Sequence, residues 1–287
     1  MDVSVIIVNY NTKEMTVACI ASVKEKTEGV NYEIILIDND SSDGTVDEVE
    51  KTFPNVIVKK MDENVGFGRA NNAGAELAKG KYLFLLNSDT VLTENSIKRF
   101  FDFMENNIDY SACGCSLVGA DGNNVVCHGR LPSVSMEVFS IGLSRIFRKY
   151  YKNKLALGQR IDTGDITNTG YVSGADIFIR ADVFNQLNGF DSNIFMYFEE
   201  TDLFARMREK GLRSCVLPDM KIVHFGGASL GTVNLNKIIM YERSRFYYYR
   251  KHFSASQVFV VKVSRIINTL LHPSKLTFAI IKSIIQL

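Results

Sequence analysis

The 287-residue chain contains no tryptophan, an odd five cysteines and, after Glu242, not one aspartate or glutamate. Each shortage excludes something. Phosphate-backbone binding needs basic faces, whereas this chain lacks Trp and carries acidic polar clusters after its apolar runs, so no nucleic-acid partner is expected. Cys19, Cys113, Cys115, Cys127 and Cys215 follow neither a framework nor a zinc-ribbon spacing. They read as buried thiols in a reducing cytoplasm. The chain opens on the apolar run VSVIIV with no basic region or small-residue cleavage site, so no signal peptide is expected. Lys262, Arg265, Pro273 and Lys282 interrupt the apolar stretches near the C-terminus, which stay short of the ~20 residues a bilayer span requires. Eight cations (Arg243, Arg245, Arg250, Lys251, Lys262, Arg265, Lys275 and Lys282) stand in the acid-free tail, leaving −7 for residues 1–242 beneath a net charge of +1. That asymmetry suggests a terminal segment that meets something anionic. A cytoplasmic protein, peripheral on the inner face of the cell membrane, is the expected location.

What is present suits a folded domain. A hydrophobic fraction of 46% beside 23% charge excludes collagen-like and wholly disordered classes and leaves ample core. VSVIIV (3–8), EIILID (33–38), VIVKK (56–60) and KYLFLL (81–86) are apolar runs separated by helical stretches from about Lys13 to Lys26, from near Thr45, and between Gly66 and Lys79. This alternation predicts a parallel sheet covered on both faces. Ligands of such sheets bind beyond the strands' carboxyl ends, and polar clusters follow three of these ends: Asn9 to Thr12, Asp38 to Asp43, and Asn87 to Thr90. Further on, SACGCSLVG (111–119) and VSGADIFIR (172–180) read as strands. Leu143, Ile146, Phe147, Tyr150 and Tyr151 make an apolar stripe opposite Arg145, Arg148, Lys149 and Lys152, a basic amphipathic helix. Val263, Ile266, Ile267 and Leu270 repeat the pattern in the tail.

Four groups bear chemistry. Asp38, ending a strand, can accept from ribose hydroxyls or a base N–H, or simply shape a turn. NVGFGRANNAG (64–74) is too irregular for a dinucleotide fingerprint and follows the third strand rather than the first. Its glycines beside Arg69, at a helix start, still suit a phosphorylated ligand. LLNSDT (85–90) offers Asn87 and Asp89 as oxygen ligands for magnesium or manganese, or an exposed turn. Glu199, Glu200 and Asp202 stand where a helix starts, a place that favours carboxylates in any case.

In order, VSVIIVNYNT, IDNDSSDGT, NVGFGRANNAG, LLNSDT, VSGADIFIRADVFNQLNGFD, FMYFEETDLFARMREKG and VHFGGAS resemble family 2 glycosyltransferases, particularly the bacterial rhamnosyltransferase-like branch, across roughly residues 3–230. The resemblance implies a GT-A-type α/β fold: a Rossmann-like, mostly parallel sheet flanked by helices, with a basic helical C-terminal segment. Residues 1–230 would form the domain, 1–110 as the nucleotide-sugar half and 111–230 as the acceptor and catalytic half, with 231–287 as the basic segment. Val8, Asn9, Tyr10 and Asn11 would line the base and ribose pocket, with Asp38 and Asn39 beside them. Arg69 and Asn72 would support the sugar nucleotide, and Asn87 and Ser88 would adjoin it. Asp89 would be the remaining carboxylate of the Asp-x-Asp metal motif, and His224 the second metal ligand, brought in by the GGAS loop. The catalytic base falls on Glu200, then Asp202, then Glu199. The implied activity is inverting, dependent on Mn2+ or Mg2+. It would move a sugar such as rhamnose from a dTDP- or UDP-linked donor to a saccharide or lipid-linked saccharide acceptor, beside an anionic membrane surface.

Two other readings compete. A nucleotidyltransferase would need a Gly-rich, basic phosphate loop after the first strand, and NYNT has neither glycine nor arginine. A degenerate glycan- or nucleotide-binding module would not be expected to keep Asp38, Asp89, Glu200 and His224 together.

Overall fold

The computed structural model describes residues 1–142, 167–226 and 235–287. The basic amphipathic helix expected at residues 143–152 and the Gly227–Ser229 part of the GGAS loop lie outside these residues. The strands are β1 (Val3–Asn9), β2 (Tyr32–Asp38), β3 (Ile57–Lys60), β4 (Tyr82–Asn87), β5 (Thr90–Leu92), β6 (Tyr110–Val118), β7 (Asn124–Val125), β8 (His128–Gly129), β9 (Thr167–Asn168), β10 (Tyr171–Val172), β11 (Asp176–Arg180) and β12 (Arg213–His224). The helices are α1 (Lys13–Lys26), α2 (Thr45–Thr52), α3 (Phe67–Ala75), α4 (Ser96–Asn106), α5 (Val134–Ser140), α6 (Ala181–Gln186), α7 (Glu199–Glu209), α8 (Leu235–His252), α9 (Ala255–Leu271) and α10 (Thr277–Gln286).

The main sheet runs β3-β2-β1-β4-β11-β6-β12-β5. Its first four strands are parallel, as the apolar runs require: Val5, Ile6, Ile7, Ile34 to Ile37 and Leu83 to Leu86 are all buried. Each such side chain contributes roughly 1.5–3 kcal/mol. The expected regularity then breaks. β11 enters antiparallel to both β4 and β6, and Phe84, Phe100 and Phe178 fill the sheet–α4 interface with ring centroids 5.1–5.8 Å apart. β12 lies parallel to β6 and antiparallel to β5, opposing His224 to Thr90.

The loops between these strands are tied by side chains. Asp43 Oδ2 accepts from Lys13 N (2.9 Å) and Oδ1 from Thr45 N (3.1 Å), so one carboxylate serves the first turns of α1 and α2. Gly66 has φ +85°, and a Cβ there would stand 2.1 Å from the Phe195 carbonyl oxygen, so no larger residue fits between α3 and that segment.

The tail is knitted to the rest of the chain. Ser244 Oγ donates to Met196 O (2.7 Å), and Tyr248 and Tyr249 lie in the core. Three of the eight tail cations are held in ion pairs: Arg245 with Glu137 and Glu242, Arg265 with Glu242, and Lys251 with Asp191 and Asp202. Most of the apolar stripe expected in the tail faces outward, but Ile266 is half-buried against the core. Phe259, Val263, Ile267 and Leu270 on α9 and Phe278 and Ile285 on α10 are exposed, while Val261, Ile280 and Ile284 take the inner positions. Among the described residues, no helix is long and apolar enough to cross a membrane.

Candidate active site

A cleft of about 490 Å³ opens at the carboxyl ends of β1, β2 and β4. Val8, Tyr10, Asn39, Asn87, Ser88, Asp89, Glu200 and His224, eight of the residues singled out from sequence, line it. Three others, Asn9, Asp38 and Asn11, bond behind or beside its surface. Asn9 is fully buried: its Nδ2 donates to Asp38 Oδ1 (2.8 Å) and Ser41 Oγ (2.9 Å), and its Oδ1 accepts from both Thr12 and Thr16 hydroxyls (each 2.8 Å). Asp38, 3% exposed, takes a second bond from Ser41 N (3.0 Å). The polar atoms of Asn9 and Asp38 are bonded to each other and to the loops, behind the surface of the cleft. Asn39, next in the chain, reaches the cleft and bonds Asn64 Oδ1 (2.9 Å) and Val65 N (3.0 Å). Asn11 sits exposed in left-handed backbone (φ 53°) and accepts from Ser42 N (2.9 Å).

Arg69 and Asn72 bond to backbone groups beside the cleft. Arg69 Nε donates to Ser192 O (2.6 Å). Asn72 exchanges two bonds with the Phe190 backbone (2.8 and 2.9 Å). Both fasten the 189–195 segment to α3 and do not line the cleft.

His224 arrives by strand pairing rather than by the GGAS loop. Because β12 ends opposite Thr90, its Nε2 lies 3.2 Å from Asp89 Oδ1, and Phe225 N donates to Asp89 O (2.9 Å). This one carboxylate and one imidazole face the same cleft, and no group of three or more His, Cys, Asp or Glu side chains able to hold a metal occurs among the described residues. Two such donors fit a divalent cation that keeps its remaining positions for phosphate oxygens and water.

The opposite wall is the start of α7. Tyr197 and Phe198 both have φ near +67°, a region bulky residues avoid, at of order 1–3 kcal/mol each. Glu199 and Glu200 follow and line the cleft. Burial pushes the Glu200 carboxyl up to about 6. Burial, with Glu200 beside it, raises Glu199 well above the carboxylate range, and its Oε2 has no partner. Two adjacent buried carboxyls of this kind titrate as a pair, with a proton held more tightly than by an ordinary carboxylate. Asp202, the second candidate for the base, is turned away from the cleft. Its oxygens meet Arg206 Nε (2.8 Å), Lys251 Nζ (2.8 Å) and His252 Nε2 (2.9 Å). Burial would raise its carboxyl, but those three partners hold it below the ordinary range.

The structure adds Thr12, Phe67, the Ser173–Ala175 turn, Phe195, Tyr197 and Met240 to the cleft. Thr12 stood inside the NYNT cluster and Ser173 inside VSGAD, so both were within reach of sequence reasoning. Phe67 stood inside NVGFGRANNAG and Phe195 and Tyr197 inside FMYFEETD, whereas Met240 carries no sequence signal that separates it from core.

The fold and cleft define the class: a GT-A glycosyltransferase. Solved structures of similar fold include the mannosyltransferase PcManGT from Pyrobaculum calidifontis with GDP-Man and Mn2+ (TM-score 0.59, 13% identity, 99% of this chain and 73% of that one). Another is S. aureus TarS 1-349 (TM-score 0.59, 15% identity, 98% and 83%). The chain belongs to glycosyl transferase family 2, whose model matches residues 4–175. It is 24% identical over 224 residues to the N-acetylglucosaminyl-diphospho-decaprenol L-rhamnosyltransferase of Mycobacterium tuberculosis, covering 74% of this chain and 73% of that protein. It is also 26% identical over 199 residues to the poly(ribitol-phosphate) beta-glucosyltransferase of Bacillus spizizenii (63% of this chain, 31% of that protein).

Proposed function

We propose that this glycosyltransferase inverts the anomeric centre of a nucleoside diphosphate sugar, dTDP- or UDP-linked, while moving the sugar to a saccharide acceptor during cell-surface polysaccharide synthesis. The observation that carries the reading is that one cleft holds a desolvated Glu200 on one wall and the Asp89–His224 pair on another. Glu200, ionised near neutral pH yet more basic than an ordinary carboxylate, accepts the proton of the acceptor hydroxyl. That oxygen bonds to the anomeric carbon from the face opposite the diphosphate. The carbon–oxygen bond to the diphosphate breaks, and the leaving group keeps the electron pair. Asp89 and His224 would hold Mn2+ or Mg2+, which when bound neutralises diphosphate charge. Tyr10 and Asn39 stand where the base and ribose would lie.

The Mycobacterium tuberculosis relative supports rhamnose as the sugar and a lipid-linked saccharide as the acceptor, while the Bacillus spizizenii relative is a glucosyltransferase. A lipid-linked acceptor calls for an enzyme at a membrane surface. The outward stripe of α9 and α10, with Lys275 and Lys282 exposed and no acid after Glu242, suits an anionic leaflet. Turnover of a panel of nucleotide sugars with manganese tests the donor. Release of nucleoside diphosphate from a dTDP- or UDP-sugar is expected, and turnover of neither overturns it. Flotation with anionic vesicles at low salt tests the location. Binding lost in Phe278→Ser/Ile285→Ser is expected, and absence of wild-type binding overturns it.

A further inference from the structure

Glu200 and Tyr197 line a second cavity as well as the cleft. This cavity, of about 240 Å³, lies between α5, α7, α8 and α9. A base on the partition between two chambers can serve a hydroxyl presented from one against a carbon held in the other. With the nucleotide sugar in the larger chamber, the hydroxyl comes from the smaller. Resting on the function proposed above, we infer that this second cavity is the subsite for one neutral pyranose ring of the acceptor.

The walls select that chemistry. Tyr241 stands with its ring 5.3 Å from those of Tyr197 and Phe198, and the Arg245 guanidinium lies 5.0 Å over it. Aromatic faces of this kind suit the C–H face of a sugar. Arg245 Nε and Nη1 and Arg265 Nε are buried without a hydrogen-bond acceptor. The contacts of Arg245 Nε to Glu137 (3.8 Å) and Nη1 to Glu242 (3.5 Å) are longer than good hydrogen bonds, while Arg265 bonds Glu242 Oε1 through Nη2 alone (2.6 Å). Buried donors left unmade are expensive, so an apolar ligand is disfavoured and ring hydroxyls, as acceptors, are favoured. Asn268, whose Nδ2 lies 3.4 Å from Ser140 Oγ, adds an amide to the same wall. Glu137 and Glu242 offset the charge of the two arginines, which favours a neutral sugar over a phosphate. The volume falls below the ~300 Å³ at which sites for larger ligands begin, so it suits a single ring.

Saturation-transfer NMR on the full chain tests this, using methyl glycosides of glucose, galactose, mannose and N-acetylglucosamine as probes. At least one glycoside is expected to receive saturation from the wild-type protein and to keep it when UDP or dTDP with manganese is added. Tyr241→Ala and the milder Asn268→Ala should each weaken that glycoside at least fivefold while binding the nucleotides within twofold of wild type. Unchanged glycoside binding in Asn268→Ala, displacement by nucleotide, or no saturation of any glycoside overturns the subsite. If the wild type binds neither nucleotide, the donor-cleft reading fails instead, and the inference falls with it.

Discussion

The two walls of the cleft are built on opposite principles. On the β1–β2 side, polar side chains satisfy one another: Asn9 alone engages Asp38, Ser41, Thr12 and Thr16. On the α7 side, Glu199 Oε2 is buried without a partner among the described residues, and two successive aromatic residues, Tyr197 and Phe198, occupy left-handed backbone. A satisfied network fixes a shape before any ligand arrives. Unpartnered groups and strained backbone are destabilising, and they persist where a ligand or a reaction uses them. On the function proposed above, the first wall would recognise the nucleotide and the second would carry the chemistry.

The largest test of the difference is Glu200→Gln. Removing the base should lower transfer roughly 10²–10⁴-fold while nucleotide affinity, measured calorimetrically, stays at the wild-type value. Retention of more than about a tenth of the rate would assign the base elsewhere. Asp89→Ala should act on binding. Titrations of nucleotide with and without manganese should coincide in the variant and differ in the wild type, and a surviving manganese effect would reject Asp89 as a ligand.

Much of this arrangement could be read from residue order alone, and the exceptions have physical reasons. Helix α1 spans Lys13–Lys26 as the pattern predicts, and the strand-end clusters do gather at one rim. Orientation was not readable. Asn9 and Asp38 are polar residues at strand ends whether they face a ligand or each other, and only their partners decide. Glu200 and Asp202 could have been separated, because two positions on a helix differ by about 200°, so a single cleft meets one of them. β12 escaped because Pro218, Asp219 and Lys221 interrupt its apolar pattern, and the register slips between Leu217 and Lys221. With that strand went the means by which His224 reaches Asp89.

Asn9→Ala asks whether the first wall is as tightly coupled as its bonds suggest. It strips donors from Asp38 and Ser41 and an acceptor from two threonines, so about 2–3 kcal/mol of destabilisation is expected. Thermal unfolding checks this, and a shift under ~0.5 kcal/mol would mean that the network contributes little.

Glu199→Gln should have the smallest effect near neutral pH, and it sharpens the contrast most. Burial and the neighbouring Glu200 raise the Glu199 carboxyl well above the ordinary range, and its Oε2 makes no bond to the described residues, so an amide of the same shape replaces an acid that holds its proton tightly. With Glu200 as the proposed base, transfer should stay within about threefold. A collapse of activity comparable with that of Glu200→Gln would make Glu199 the base. The pH dependence of stability carries the sign. A carboxyl raised above its unfolded value, about 4.3, binds its proton more tightly in the folded state. The wild type therefore has this contribution in full below pH 4 and loses it as the pH rises toward the folded value. Glutamine has no proton to lose, so denaturation curves of the two proteins should nearly coincide at pH 4. At pH 7 to 8 they should separate, with Glu199→Gln the more stable.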